Sequence, residues 1–103
     1  MDTQEVSGEY IMSGKDIVQS LRQKDLPTHP VYLTLDILIE YGELFGRFPT
    51  YRETAEVLDE LLKKQAKTST ATIYRYLHRL EDEGLVEWTG HRYKVTGSRI
   101  AFT

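Results

Sequence analysis

The sequence predicts one mainly α-helical domain closed by a small antiparallel β-ribbon, and three observations carry that prediction. Apolar residues recur at helical spacing in four stretches between Ser13 and Glu83. Two short strand-like runs, Leu85–Trp88 and Arg92–Val95, then follow the last helix, joined by the turn Thr89-Gly90-His91. At 103 residues the chain is long enough for one modest core.

Residues 1–12 show no periodicity and are expected to form a flexible arm, leaving residues 13–103 as a single domain. Ser13 can cap an N-terminal helix, 13–26, whose Ile17, Val18 and Leu21 share a face. Leu26-Pro27-Thr28-His29-Pro30 ends it, because a residue before proline is pushed out of the α region. A second helix is expected over Val31–Phe45, with Leu35, Leu38 and Ile39 inward and Leu44 or Phe45 closing the core. Gly46-Arg47-Phe48-Pro49 reads as a turn. Thr50 with Glu53 makes a capping box for a third helix, Tyr51–Leu62, which packs Ala55, Leu58 and Leu62. Lys63–Lys67 is a polar connector. Thr68 or Ser69 caps a fourth helix that turns Ile73, Leu77 and Leu80 inward and runs to about Glu83, where Gly84 stops it. Val86, Trp88, Tyr93 and Val95 alternate along the ribbon. The tail Thr96–Thr103 fits either a short strand or a turn of helix.

Composition narrows the classes of function. Hydrophobic content of 40% with 28% charged residues is that of an ordinary globular protein. The apolar cluster Val31–Ile39 is interrupted by Thr34 and Asp36, so no membrane span is expected. The acidic start Asp2–Glu9 does not read as a signal peptide, and a cytoplasmic location is expected. Without cysteine there is no disulfide framework and no thiolate metal site. The absence of Asn as well as Cys, two thermolabile types, points toward a thermophilic source, although in 103 residues chance accounts for it equally well.

The net charge of −3 conceals an asymmetry. Residues 1–45 hold eight acids and three bases; residues 46–103 hold ten bases and eight acids. Leu61–Leu80 contains Lys63, Lys64, Lys67, Arg75 and Arg79 with no acid, and Trp88–Thr103 contains Arg92, Lys94 and Arg99 with none. Phosphate attraction follows local potential rather than total charge, so a basic face on an acidic protein is expected.

A helix feeding directly into a β-ribbon is the C-terminal half of a winged helix-turn-helix, here with an extra N-terminal helix. PTYRETAEVLDELL followed by TSTATIYRYLHRLEDEGLVEW resembles the winged-helix transcriptional regulators of the MarR, PadR and ArsR kind. The resemblance covers about Val31 to Val95. It implies that residues 68–83 are a recognition helix and residues 85–95 a wing, and that double-stranded DNA is the ligand. The fourth helix would lie in the major groove with its N-terminal half nearest the bases.

In that geometry Ser69, Thr70 and Thr72 suit close approach to phosphates or base edges, with the free amides of the first turn adding an anion site. Arg75 is the candidate base reader, because a guanidinium can bind guanine O6 and N7 together. Tyr74 can meet sugar or phosphate, and His78 shares its outward face. Lys63, Lys67 and Arg79 are placed for phosphates on or beside the helix, and His91, Arg92 and Lys94 on the wing. Tyr51 and Arg52 can touch the backbone from the third helix.

Simpler readings stand beside these. Ser69 and Thr70 would cap the helix in any protein. Arg79 has Asp82 at i+3 and Glu83 at i+4, enough for a surface ion pair. Arg75 has no acid at helical spacing, and its i+4 neighbour is Arg79, a repulsive pair that an external anion would relieve. His29, His78 and His91 are too scattered to suggest a metal site. There is no Gly-rich phosphate loop, no Gly-x-Ser-x-Gly elbow and no His-Glu-x-x-His, so neither an enzyme nor a cofactor is expected. A homodimer through the N-terminal helices is expected, reading a palindromic site. No small-molecule ligand is evident. The alternative is a winged helix used as a protein-interaction module without direct DNA contact.

Overall fold

The computed structural model describes residues 14–63, 67–90 and 93–96. Within them the chain forms α1 (Gly14–Arg22), α2 (Pro30–Phe45), α3 (Tyr51–Leu62), α4 (Thr70–Asp82), β1 (Val86–Trp88) and β2 (Tyr93–Val95). Four helices followed by a two-stranded antiparallel sheet are the predicted winged-helix arrangement. The expected arm at 1–12, the Ser13 cap and the tail from residue 97 lie outside the described residues.

Helix α2 is the post around which the others are arranged. It packs against α1, α3 and α4 and touches β2. Neighbours on several sides explain why it is apolar on more than one face: Val31, Leu33, Leu35, Ile37, Leu38 and Tyr41 are all buried. The expected inward set was narrower. Ile39 is only partly buried, and Leu44 points outward at 37% exposure, so Phe45 closes the core with its ring edge-on to Tyr41. The start of α2 comes from a residue that seemed merely to end the preceding helix. Pro30 takes the first helical turn, and His29 Nδ1 accepts a hydrogen bond from the Val31 amide at 3.2 Å.

Helix α1 ends at Arg22, earlier than residue 26, because the polar residues Gln23–Asp25 have no apolar face to bury. Ile17, Val18 and Leu21 are buried within the core of the same chain. A homodimer through the N-terminal helices would therefore have to use other surface of these helices.

A polar cluster lies at the edge of this core. Glu40 is 3% exposed, and its carboxylate accepts from Lys24 Nζ at 2.6 Å and from the Ser20 hydroxyl. Burial opposes its ionisation, but these two donors outweigh burial and hold the carboxyl below the ordinary carboxylate range. The cluster fastens the turn after α1 to α2.

Helix α3 begins with the predicted capping box: the Glu53 amide donates to Thr50 Oγ1 at 3.0 Å, and the Thr50 amide donates to Glu53 Oε1 at 2.8 Å. Arg47 grips the same carboxylate through both terminal nitrogens at 2.9 Å while lying over the Tyr41 and Phe45 rings. Helix α4 buries Ile73, Leu77 and Leu80, as its spacing requires. It ends in a left-handed Gly84 (φ 78°), with the Leu85 amide bonded to Leu80 O at 2.9 Å and the Gly84 amide to Glu81 O at 2.9 Å.

That ending turns the chain directly into the ribbon. Val86 pairs with Val95, Glu87 with Lys94 and Trp88 with Tyr93. Val86 and Tyr93 are buried, but Trp88, on the same face by alternation, is 46% exposed. It overhangs the core at the far end of its strand and rests on the Tyr93 ring at 5.0 Å.

Candidate nucleic-acid interface

The entry to α4 is built from short polar side chains because its first-turn amides need acceptors. Ser69 is the N-cap: its hydroxyl accepts from the Thr72 amide at 3.1 Å and lies 3.0 Å from Thr72 Oγ1. Arg75 Nη2 donates to the same Thr72 hydroxyl at 3.2 Å. Ser69, Thr72 and Arg75 thus form a chain at three-residue spacing along one edge of the helix, which draws the guanidinium toward the N-terminal half. Among the described residues no carboxylate pairs with Arg75. Thr70 and Tyr74 are exposed beside it, Tyr74 at 47%.

The residue that aims this entry was not apparent in the sequence. Asp59, on α3, accepts from the Thr68 amide at 2.8 Å and from the Thr68 hydroxyl. Its carboxylate therefore fastens the incoming chain one residue before the cap. Lys63 closes α3 in a left-handed conformation (φ 54°), which an asparagine or glycine would adopt with less strain. Residues 64–66 of the connector lie outside the described residues. Lys63 and Lys67 are both exposed and flank the cleft between α3 and the start of α4, to which Arg22 and Arg52 also contribute.

Further along α4 the pattern changes. Tyr74 stands between two rings, with Tyr51 at 6.3 Å and His78 edge-on at 4.4 Å. Tyr51 is partly buried, and His78 Nδ1 lies 3.8 Å from Glu81 Oε1. Arg79 Nε donates to Glu83 Oε2 at 2.7 Å, the ion pair that the i+4 spacing allowed. The other oxygen of Glu83 accepts from the Tyr32 hydroxyl at 2.7 Å. These two donors, Tyr32 first, hold the Glu83 carboxyl below the ordinary carboxylate range, and the carboxylate in turn raises Tyr32 and Arg79.

On the wing, Lys94 is exposed and stands opposite Glu87 in the strand register. The expected contacts His91 and Arg92 lie outside the described residues. Ser69, Thr70, Thr72, Tyr74, Arg75, His78 and Arg79 are brought together on the outward side of α4, with Lys63 and Lys67 beside its entry. Tyr76 is partly buried against the core.

The family model described as the ferric uptake regulator family matches residues 43–100. No curated protein and no solved structure gave a match. The family match supplies the coarse level of the resemblance, a winged-helix DNA-binding regulator, through a different family from the MarR, PadR and ArsR kinds. Its description raises the question of a metal centre. The chain has no cysteine, and among the described residues no group of three or more His, Cys, Asp or Glu is placed to hold a metal ion. His29 caps α2 through Nδ1, and His78 faces Glu81. The described residues do not fit such a centre.

Proposed function

Because this chain belongs to the ferric uptake regulator family, we propose that it is a small transcriptional regulator that binds double-stranded DNA sequence-specifically through α4. The single observation that carries the finer part of this reading is the state of Arg75. It is exposed, drawn toward the helix N-terminus by Thr72 and without a carboxylate partner among the described residues. A guanidinium so placed can offer two parallel donors to a guanine edge. The Ser69–Thr72 entry lets the backbone come close, and Lys63, Lys67 and Lys94 supply phosphate contacts at the margins. Arg79 is assigned to the fold first, because Glu83 already holds it.

The activity is non-enzymatic: binding itself is the function, and occupancy of the operator is its output. Two copies reading a palindrome are part of the proposal, with recognition helices about 34–36 Å apart, one turn of the duplex. Such a pairing would have to use surface other than the buried face of α1.

A mobility-shift titration of short duplexes over a salt series tests the proposal. Neutralising several phosphates predicts a steep linear fall of log K with log salt. Arg75→Ala is expected to weaken binding to the preferred site by about 1–3 kcal/mol and to relax discrimination at one base position. Binding that ignores salt, or that ignores Arg75→Ala, would overturn it. A partner protein retained at high salt by the same face would favour the interaction-module alternative.

A further inference from the structure

We infer that Glu83 is an affinity-limiting residue of the recognition helix: its carboxylate occupies Arg79 and so withholds one phosphate contact from the DNA interface. The inference rests on the DNA-binding reading of α4 and adds to it a built-in restraint.

Three features separate this carboxylate from an ordinary surface acid. Its two oxygens are both engaged, one by Tyr32 Oη and one by Arg79 Nε, each at 2.7 Å. The Tyr32 anchor comes from α2, 51 residues away in sequence, so the acid is held in place by the fold as well as by its helical neighbour. A side chain already fixed by one bond loses little further conformational freedom in making the second. Its position adds electrostatic weight, because Glu83 caps the C-terminal end of α4, where the helix dipole disfavours a negative charge. Arg79 and the Tyr32 hydroxyl supply the compensation that keeps it there.

Arg79 is on the outward side of α4, one helical turn beyond Arg75. An isolated arginine there would extend the basic run Lys67–Arg75 along the groove. Paired with Glu83, it brings no net charge to an approaching phosphate. The pairing also reduces the repulsion between Arg75 and Arg79, and it leaves Arg75 as the arginine of α4 without a carboxylate partner among the described residues. The consequence is a helix whose basic character is concentrated in its N-terminal half.

The neutral isostere tests this. Glu83→Gln keeps an oxygen for Tyr32 and another polar atom beside Arg79 while removing the charge. At about 0.1 M salt, one additional phosphate contact raises affinity roughly five- to tenfold and steepens the salt slope by about one unit. The gain is expected on a preferred site and on a scrambled duplex alike, because phosphates carry no sequence information. Arg79→Ala added to Glu83→Gln should abolish the gain. The inference is overturned if the wild-type chain binds duplex with its normal salt dependence and Glu83→Gln leaves affinity and slope unchanged or lowers them. Failure of the wild-type chain and the variant alike to bind any duplex would remove the DNA-binding reading, and this inference with it. Circular dichroism of each variant, with Tyr32→Phe as a variant that keeps the charge, separates a charge effect from a misplaced helix.

Discussion

The two ends of α4 are built on opposite electrostatic plans, although they belong to one helix of 13 residues. At the N-terminal end the side chains of Ser69, Thr72 and Arg75 are linked to one another, and no acid stands within helical reach of the arginine. At the C-terminal end Arg79 is clasped by Glu83, and Glu83 is clasped by Tyr32 of α2. The same residue type therefore does two jobs. In the proposed reading one arginine is left for a ligand, while the other brackets the helix to the body of the protein. What separates them is a single carboxylate four residues on.

The most drastic way to break the comparison is to loosen the helix beneath both ends. Ile73 is fully buried, and Ile73→Ala is expected to cost about 2–5 kcal/mol through lost packing and a residual cavity. Denaturant unfolding would read that loss, and a value near zero would mean that the core face of α4 is wrongly assigned. Removing the cap acts on one end alone. Ser69→Ala should cost about 1 kcal/mol and increase amide exchange in the first turn, leaving the Glu83 end protected.

Acid should separate the ends without any mutation. The Glu83 carboxyl is held below its ordinary range, so its pairing contributes fully above that range and is lost as pH falls through the depressed value. Glu40 and Glu53 carry the same sign, so overall stability should fall on acidification too. Amide exchange followed by NMR is expected to rise around Glu83 and Tyr32 while the bond from the Thr72 amide to the Ser69 hydroxyl, which involves no acid, persists. Simultaneous loss at both ends would contradict the contrast. The smallest effect is expected from Tyr32→Phe, which removes one hydrogen bond at a half-buried carboxylate that keeps its Arg79 partner. Its shift in unfolding midpoint should be smaller than that of Ser69→Ala.

What could be read from the sequence divides along the same physical line. The capping box of Thr50 and Glu53, the Ser69 cap, the Ile73–Leu77–Leu80 stripe and the Gly84 stop obey rules that act within a few residues, and each is in place. The i+4 pair of Arg79 and Glu83 was legible for the same reason. Its third member was not, because Tyr32 meets Glu83 only after the chain has folded. The Lys24–Glu40–Ser20 cluster and the Asp59 clasp on Thr68 escaped notice in the same way. Helix α2 misled the periodicity argument because neighbours on several sides blur a single apolar face. Trp88 shares a face with Val86 by strand alternation, a rule that says nothing about where a strand outruns the core beneath it.

The most direct test of this account compares Arg75→Ala with Arg79→Ala on a duplex selected by the wild-type chain and on its scrambled counterpart. The account predicts that Arg75→Ala collapses the affinity ratio between the two duplexes. Arg79→Ala should shift both affinities together and leave the ratio intact. A collapse caused by Arg79→Ala, or a ratio untouched by Arg75→Ala, would contradict it.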